Sequence, residues 1–389
     1  MKCILMHKRI PVIELDIDNA SGFLLKFGIP LNPGHLPIGT YIKSNVDGNM
    51  LRDWWMKRSI PASREGLKET LEKLNVGFSQ GLLSKSYGLS LSDQYWVCPQ
   101  GQDLKWDDIN FFTNSFSEDM GNLLFSGKMR ENSKNFNFLS PDNTSDGMLR
   151  KKWKIINGER YLIKSGSVPF RQEVFNEVIA SSICWRLCIP HTEYILLTEN
   201  GEACSASKDF VTPMTELVSA ARILDQFKTP NNVSKYEHYI ACGEKLGIID
   251  IRQQIEKMLV LDFIIANSDR HYNNFGLLRN AETLAWTGVV PIFDCGCSLF
   301  YDKPDRVITI SSVDAESKPF KTTHFEQIKL VKDFSWLNFE TLNDISDEYA
   351  ELLKMSELPD ERRTLLCKAL LNRIQDLKSY VCAFENKKR

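Results

Sequence analysis

The periodicity of apolar residues changes partway along this chain, and that change limits the fold more than any other feature. In the first half the signals are those of strands and turns. Val12-Ile13-Glu14-Leu15-Asp16-Ile17 alternates, residues 19–22 interrupt it, and Pro30, Pro33, Gly34, Pro37 and Gly39 crowd a loop. Lys152-Trp153-Lys154-Ile155-Ile156 and Arg160-Tyr161-Leu162-Ile163-Lys164 flank Asn157-Gly158-Glu159, and an Asn-Gly between β-prone runs predicts a hairpin. Val174, Val178, Ser181 and Trp185 stand at helical spacing and predict a helix over 173–187, closed by Pro190, with a strand at 194–198 after it. The second half is helical in pattern: Ile251, Ile255, Met258 and Leu259 share one face, and Leu366, Leu370, Ile374 and Leu377 share another. Strands first and helices after predict an α+β, two-lobed architecture, not a doubly wound parallel sheet. Three parts are expected: 1–135, a β-rich and aromatic accessory region; 136–212, a hairpin-helix-strand unit; and 213–389, mostly helical. The polar stretch from Glu131 to Asp146 reads as a connector.

Charge narrows the function classes. Lys plus Arg number 48 and Asp plus Glu 50, so the strong basic excess of a protein built on nucleic-acid phosphates is missing. The ten cysteines are scattered, and neither the pair at Cys295 and Cys297 nor that at Cys184 and Cys188 has a partner at zinc-site spacing. A reducing cytoplasm is the expected location, because the first residues carry charges where a secretory signal needs an apolar run, and no stretch is long enough to span a bilayer.

The segment that carries chemistry is Asn267-Ser268-Asp269-Arg270-His271-Tyr272-Asn273-Asn274-Phe275-Gly276, placed where an amphipathic helix stops and an apolar run begins. Downstream, Val289-Val290-Pro291-Ile292-Phe293 delivers Asp294 into a turn with Cys295 and Gly296. Phosphoryl transfer needs a carboxylate to orient and deprotonate the attacking hydroxyl, and hard oxygen ligands for Mg²⁺. An Asp, an Asn five positions later and a strand-end Asp followed by x-Gly are that set, in the order of the protein-kinase template. Taken singly, each piece has a plainer reading, a hydrogen-bonded helix terminus or an ordinary turn. Order and context make the case.

With those residues in view, D-R-H-x-x-N followed by D-x-G resembles the signature shared by HipA-like serine/threonine kinases and phosphoinositide kinases, atypical branches of the kinase fold. The resemblance implies a two-lobed protein kinase-like fold, with residues 136–212 as small lobe and 213–389 as large lobe. It implies ATP and Mg²⁺ as cofactors, Asp269 as catalytic base, His271 as support for the loop or transition state, and Asn274 and Asp294 as metal ligands. Asn273 is the rival for the metal site, and only the family spacing prefers Asn274. A strand Lys and a helical Glu are implied at Lys164 and Glu177, with Glu173 one turn earlier as competitor. The phosphate-cradling loop is placed at residues 143–153 around Ser145 and Gly147, where Ser145 or Thr144 would be the equivalents of a self-phosphorylated serine. It holds a single glycine, which departs from the Gly-rich patterns. Residues 207–211 fit a hinge for adenine, where Asp209 is either a ribose contact or a solvated linker charge.

The expected partners are a protein substrate and, by the same resemblance, a small antitoxin or regulator, with no membrane and no direct nucleic-acid contact. Two other readings stand beside this one: a lipid or small-molecule kinase, and a nucleotide-binding pseudokinase. Trp54-Trp55 and Tyr95-Trp96, with Arg58 and Arg64 nearby, read as the core of a small domain more readily than as a partner surface.

Overall fold

A computed structural model describes residues 1–128, 136–308 and 315–388. Residues 131–135 of the expected connector lie outside the described part. The chain forms two compact units, and neither is a single stretch of sequence. The first combines Met1–Lys164, Lys208–Lys228 and Leu277–Thr287; the second combines Ser165–Ser207, Thr229–Gly276 and Gly288–Arg389.

In the first unit the alternating N-terminal segments become an antiparallel sheet with strand order Leu24–Pro30, Ile10–Ile17, Lys2–His7, Tyr95–Pro99. Period-two alternation sends Cys3 and Leu5, and on the next strand Ile13, Leu15 and Ile17, into the core, and Val12 beside Ile13 is buried as well. Helix Gly48–Lys57 covers it with Leu51, Trp54 and Trp55. Its start is fixed by Asp47, whose Oδ1 accepts from the amides of Asn49 (3.0 Å) and Met50 (3.1 Å). The indole N–H groups are satisfied inside: Trp55 Nε1 donates to Gly22 O (2.8 Å) and Trp96 Nε1 to Lys8 O (2.7 Å). Truncating either ring to alanine is expected to cost about 3–5 kcal/mol. The aromatic segment is core, as its composition suggested. Arg58 has the same structural use, bonded to Asp93, Gly88 O and Tyr95 O.

A buried ionic knot joins the three segments of this unit. His7 Nε2 lies 2.9 Å from Glu216 Oε2, Arg279 pairs with Glu216 Oε1, and Arg279 Nη2 donates to Tyr95 Oη at 3.1 Å. Burial alone pushes the Glu216 carboxyl up, but the bond from His7 and the charge of Arg279 outweigh it and hold that carboxyl below its ordinary value. The predicted hairpin is also here, as Lys151–Ile156 and Glu159–Ser165, with Asn157 (φ 51°) and Gly158 (φ 83°) both left-handed as a two-residue turn of this hand requires.

The second unit is mostly helical. Helix Glu173–Arg186 and the hairpin Tyr194–Glu199 with Glu202–Lys208 precede helices Lys235–Lys245 and Ile251–Ile264, and Ile345–Leu353 and Asp360–Lys388 follow later in the chain. Buried polar side chains tie these elements together. Tyr349 Oη donates to Asn176 Oδ1 (2.6 Å), while Asn176 Nδ2 donates to Gly296 O (2.9 Å) and Ser298 O (2.7 Å). No helix among the described residues is long and apolar enough to cross a membrane.

Candidate active site

Helix Ile251–Ile264 ends buried on all sides, and among its apolar residues stands one fully buried carboxylate, Asp262. An isolated buried charge is very costly, so it must be paired. The partner is Arg270, also fully buried, which meets Asp262 through two nitrogens, Nε to Oδ2 at 3.0 Å and Nη2 to Oδ1 at 2.9 Å. The remaining guanidinium protons reach three other points: Nη1 donates to Asn274 O (3.1 Å) and Phe293 O (2.6 Å), and Nη2 to Cys295 Sγ (3.1 Å). Arg270 therefore fastens the helix, the polar loop and the run that delivers Asp294 to one another. Burial works against its charge, yet Asp262 holds the guanidinium well above its ordinary value.

Around that centre the loop is closed by short-range bonds. Asn267 Nδ2 donates to Asp262 Oδ1 (2.9 Å) and its Oδ1 accepts from Asp269 N (3.0 Å). Asn274 N donates to His271 O (2.8 Å), and Asn274 Nδ2 to Asp269 O (3.2 Å), which leaves the Asn274 Oδ1 as the side chain's remaining donor of electron pairs. Asn274 is buried, whereas its rival Asn273 is exposed, its amide turned toward His271 Nδ1 (3.3 Å). Asp294 sits on left-handed backbone (φ 57°) with its amide donating to Tyr194 Oη (3.2 Å). A non-glycine residue in that conformation is uncommon and turns up where geometry is over-determined by its surroundings. Asp294 and Asp269 also share a neighbour. The Cys297 thiol is pushed up to about 12 by burial and then by the charges of Asp294, Asp269 and Glu173, while Ser268 N (3.0 Å) and Oγ (3.1 Å) both donate to Cys297 O.

The two glutamates are told apart by their partners. Glu177 Oε2 accepts from Cys295 N at 2.8 Å, inside the D-x-G turn, whereas Glu173 takes the amide and hydroxyl of Ser167. Gly296 is needed where it stands, because an added Cβ would come 3.1 Å from Glu173 Cβ and 3.2 Å from Glu173 O. His271 lies 3.9 Å from Asp269 through Nε2, at the margin of an ion pair.

Other expected residues fall in the first unit. Lys164 ends the second strand of the hairpin and is buried. Ser145 and Gly147 lie in a turn whose carbonyls are held by one side chain: Arg64 donates to Ser145 O (2.7 Å), Asp146 O (2.9 Å) and Gly147 O (2.5 Å). The Gly147 amide is capped by Asp146 Oδ1 (2.7 Å). Ser145 Oγ donates to Asp142 O (3.0 Å) and Thr144 Oγ1 to Leu89 O (3.0 Å), so both hydroxyls named for self-phosphorylation are engaged inside the fold. Asp209 is not a solvated charge. It is half-buried, one carboxylate oxygen accepts from Val211 N (3.0 Å), the other has no hydrogen-bond partner among the described residues, and burial pushes the group up to about 8.

Sequence reasoning missed Lys318, whose Nζ lies 2.9 Å from Asp269 Oδ1. The two residues are far apart in the chain, and neither periodicity nor motif connects them. Asp262 was hidden inside an apolar helix pattern in the same way.

Asn274 Oδ1 and the Asp294 carboxylate are hard oxygens of the kind Mg²⁺ takes, and Asn274 has one left to give. Among the described residues no three His, Cys, Asp or Glu side chains are grouped closely enough to hold a metal alone. Mg²⁺ is commonly held by one or two protein oxygens that share the ion with substrate phosphates and water.

No family model matches the chain. It is 29% identical over 177 residues to the serine/threonine-protein kinase CtkA of Helicobacter pylori, covering 41% of this chain and 53% of that protein, so it spans about half the length of the curated relative it matches. Among solved structures, HipA of Shewanella oneidensis, determined with HipB and operator DNA, aligns with 96% of this chain and 97% of that one at a TM-score of 0.52 and 13% identity. The fold is HipA-like. It is the two-lobed, kinase-like fold, with most sheets in the N-terminal part; one sheet, of Thr215–Ser219, Gly276–Asn280 and Trp286–Val289, falls in the half whose pattern predicted mostly helix. A crystal structure of the proinflammatory kinase CtkA of Helicobacter pylori also aligns, at TM-score 0.44 and 20% identity over 57% of this chain and 89% of that one. Against the HipA-like background, Asp269, His271, Asn274 and Asp294 occupy the D-R-H-x-x-N and D-x-G positions of one unit.

Proposed function

We propose that this chain is a cytoplasmic, ATP-dependent serine/threonine kinase that uses Mg²⁺ to transfer the γ-phosphoryl group to a hydroxyl of a protein. The observation that carries the reading is the Arg270 centre. One buried guanidinium bonds the carbonyl of Asn274, the carbonyl of Phe293 beside Asp294, and the helix preceding Asp269. The three residues that this chemistry needs are thereby fastened to one point.

In this reading Asp269 orients the acceptor hydroxyl and accepts its proton. Asn274 and Asp294 would hold Mg²⁺, which when bound neutralises charge on the phosphates; the burial of Asn274 and the exposure of Asn273 favour that choice. Glu177, bonded to the D-x-G turn, keeps Asp294 in register, and this favours it over Glu173 for the helical-Glu role. Lys164 is assigned to the α- and β-phosphates, the turn of Ser145 and Gly147 to phosphate binding, and the Asp209 oxygen that has no hydrogen-bond partner among the described residues to the ribose. The HipA of the solved complex is bound to HipB and DNA. A small regulator of that kind, and a role in a toxin module, are proposed for this chain on that likeness.

The test is transfer of label from γ-labelled ATP with Mg²⁺ to proteins of a cell lysate and to casein, beside Asp269→Ala. Labelled bands are expected with the wild type, and a loss of at least a hundredfold in the variant with unchanged thermal unfolding. Equal labelling in both would overturn the site, and ATP binding without transfer to any protein would favour the pseudokinase or a small-molecule acceptor.

A further inference from the structure

The ion pair between Lys318 and Asp269 belongs to a segment built to hold it. Glu316 and Thr323 form an antiparallel bridge, Ser317 N donates to Thr322 O (3.0 Å) and His324 N to Ala315 O (3.1 Å), so residues 315–324 fold back on themselves. Across the mouth of this loop lies one buried side chain, Gln327. Its Oε1 accepts from Phe320 N and Lys321 N (3.1 Å each), and its Nε2 donates to Ser317 Oγ (2.8 Å) and Lys318 O (2.5 Å). A single amide thus uses both ends to fix the backbone at and after Lys318 and the hydroxyl of the residue before it. The loop tip is tied in turn to the polar loop of the site. Tyr272 Oη donates to Pro319 O (3.2 Å), and the Phe320 ring packs edge-on against Tyr236 (5.2 Å), Tyr272 (5.9 Å) and Phe275 (6.0 Å).

The Lys318 side chain itself is 55% exposed. An exposed lysine on a mobile stem is a poor source of stability. A stability role does not account for a loop held by four hydrogen bonds with one buried glutamine, three of them to the backbone, under such a side chain. Orientation does: with the backbone fixed, the ammonium reaches one oxygen of Asp269 and leaves the other facing His271 Nε2 at 3.9 Å.

We propose that Lys318 is a positioning residue for Asp269: it occupies one carboxylate oxygen so that the other meets the acceptor hydroxyl. The inference rests on the kinase reading above, since it assigns Asp269 its proton-accepting role. Lys318 touches neither the transferred group nor the metal in this role, and its effect is exerted on the geometry of turnover, not on nucleotide binding.

The test compares wild type, Lys318→Met and Lys318→Arg for transfer of γ-labelled phosphate to casein, with kcat and KM for ATP measured separately. Lys318→Met is expected to lower kcat about ten- to a hundredfold, the range of a lost charge-assisted bond, with KM for ATP within twofold and unfolding unchanged. Lys318→Arg restores most of the loss, and Lys318→Met adds nothing in an Asp269→Ala background. A kcat for Lys318→Met equal to or above wild type overturns the proposal, the latter showing that the pair is a block. Competitive acetylation read by peptide mass spectrometry reports the pairing without turnover. Lys318 should react severalfold faster in Asp269→Asn, and equal reactivity overturns the pairing. A wild type that transfers no phosphate while Lys318 stays protected overturns the kinase reading and this role with it, whereas an active wild type with an indifferent Lys318→Met overturns this inference alone.

Discussion

Two buried arginines each organise a loop in this molecule, and they do it by opposite means. Arg270 is paired with a fully buried carboxylate and spends its remaining protons on the loop and on Phe293 O. Arg64 holds the turn of Ser145 and Gly147 through carbonyl oxygens and one serine hydroxyl, with no carboxylate in contact. The consequence is seen in their charge. Asp262 holds Arg270 well above its ordinary value, while burial pulls Arg64 down to about 10 against the more distant attraction of Asp142 and Asp146. A clamp with its own counter-ion is a fixture; a clamp made of neutral acceptors is cheaper to open. The residues proposed for chemistry hang on the first kind, and the turn proposed to bind phosphate on the second.

The sharpest way to break the comparison is Arg270→Met, which strands Asp262 in the core. A loss of about 3–5 kcal/mol in denaturant unfolding is expected, with no transfer activity at any temperature. Arg64→Met should be milder, about 1–3 kcal/mol, because it leaves neutral carbonyls to find water. Activity should survive with a raised KM for ATP. If Arg64→Met were the more damaging of the two, the distinction between the clamps would be wrong.

A smaller effect is expected from Asp142, fully buried beside the Arg64 turn. One oxygen accepts from Trp153 N (2.9 Å), the other from Ser140 Oγ (2.9 Å), and an added Cβ at Gly121 would come 2.5 Å from it. Burial pushes this carboxyl up to about 7. In the unfolded chain the group titrates near 3.9, so folding favours the protonated form. Its contribution is fully present below about pH 4 and is lost as pH rises through about 7. The unfolding temperature of Asp142→Asn measured across that range should lack this fall, and a parallel slope in both proteins would show that Asp142 is not its source.

How much of this was legible in the sequence depends on the distance over which each interaction acts. The hairpin at Asn157-Gly158 is written in local pattern, and the structure places it within a residue of where the pattern put it; the helix before Asn267 ends at Ile264, and the run into Asp294 is not the strand expected, since the strand Trp286–Val289 stops short of it and only Ile292 makes a bridge, to His191. Asp269, Asn274 and Asp294 can be picked out as candidates because spacing along one loop and one turn carries them. Arg270 stood in the motif without a visible task, because its partner Asp262 looks like an interruption in an apolar face. Arg64 was read beside the aromatics, but its bonds run to a turn more than eighty positions away. Asp209 read as a linker charge because no local signal reports that neighbours bury it. Lys318 and Gln327 belong to a segment with no periodicity of its own, and their use appears only when Phe320 has found the aromatic cluster around Tyr272.

The three-segment make-up of the first unit bears on how the molecule is made. Its ionic knot draws His7 from the first strand, Glu216 from the segment 208–228 and Arg279 from 277–287. A ribosome that has released only the first two hundred residues has delivered the sheet and the tryptophans but neither Glu216 nor Arg279. His7 then waits beneath an unfinished core, and the nascent N-terminal part must stay soluble until residue 287 emerges. Such long-range closure slows folding and lengthens exposure to aggregation. Expression as separate N- and C-terminal halves therefore divides this unit against itself, whichever linker is chosen for the cut.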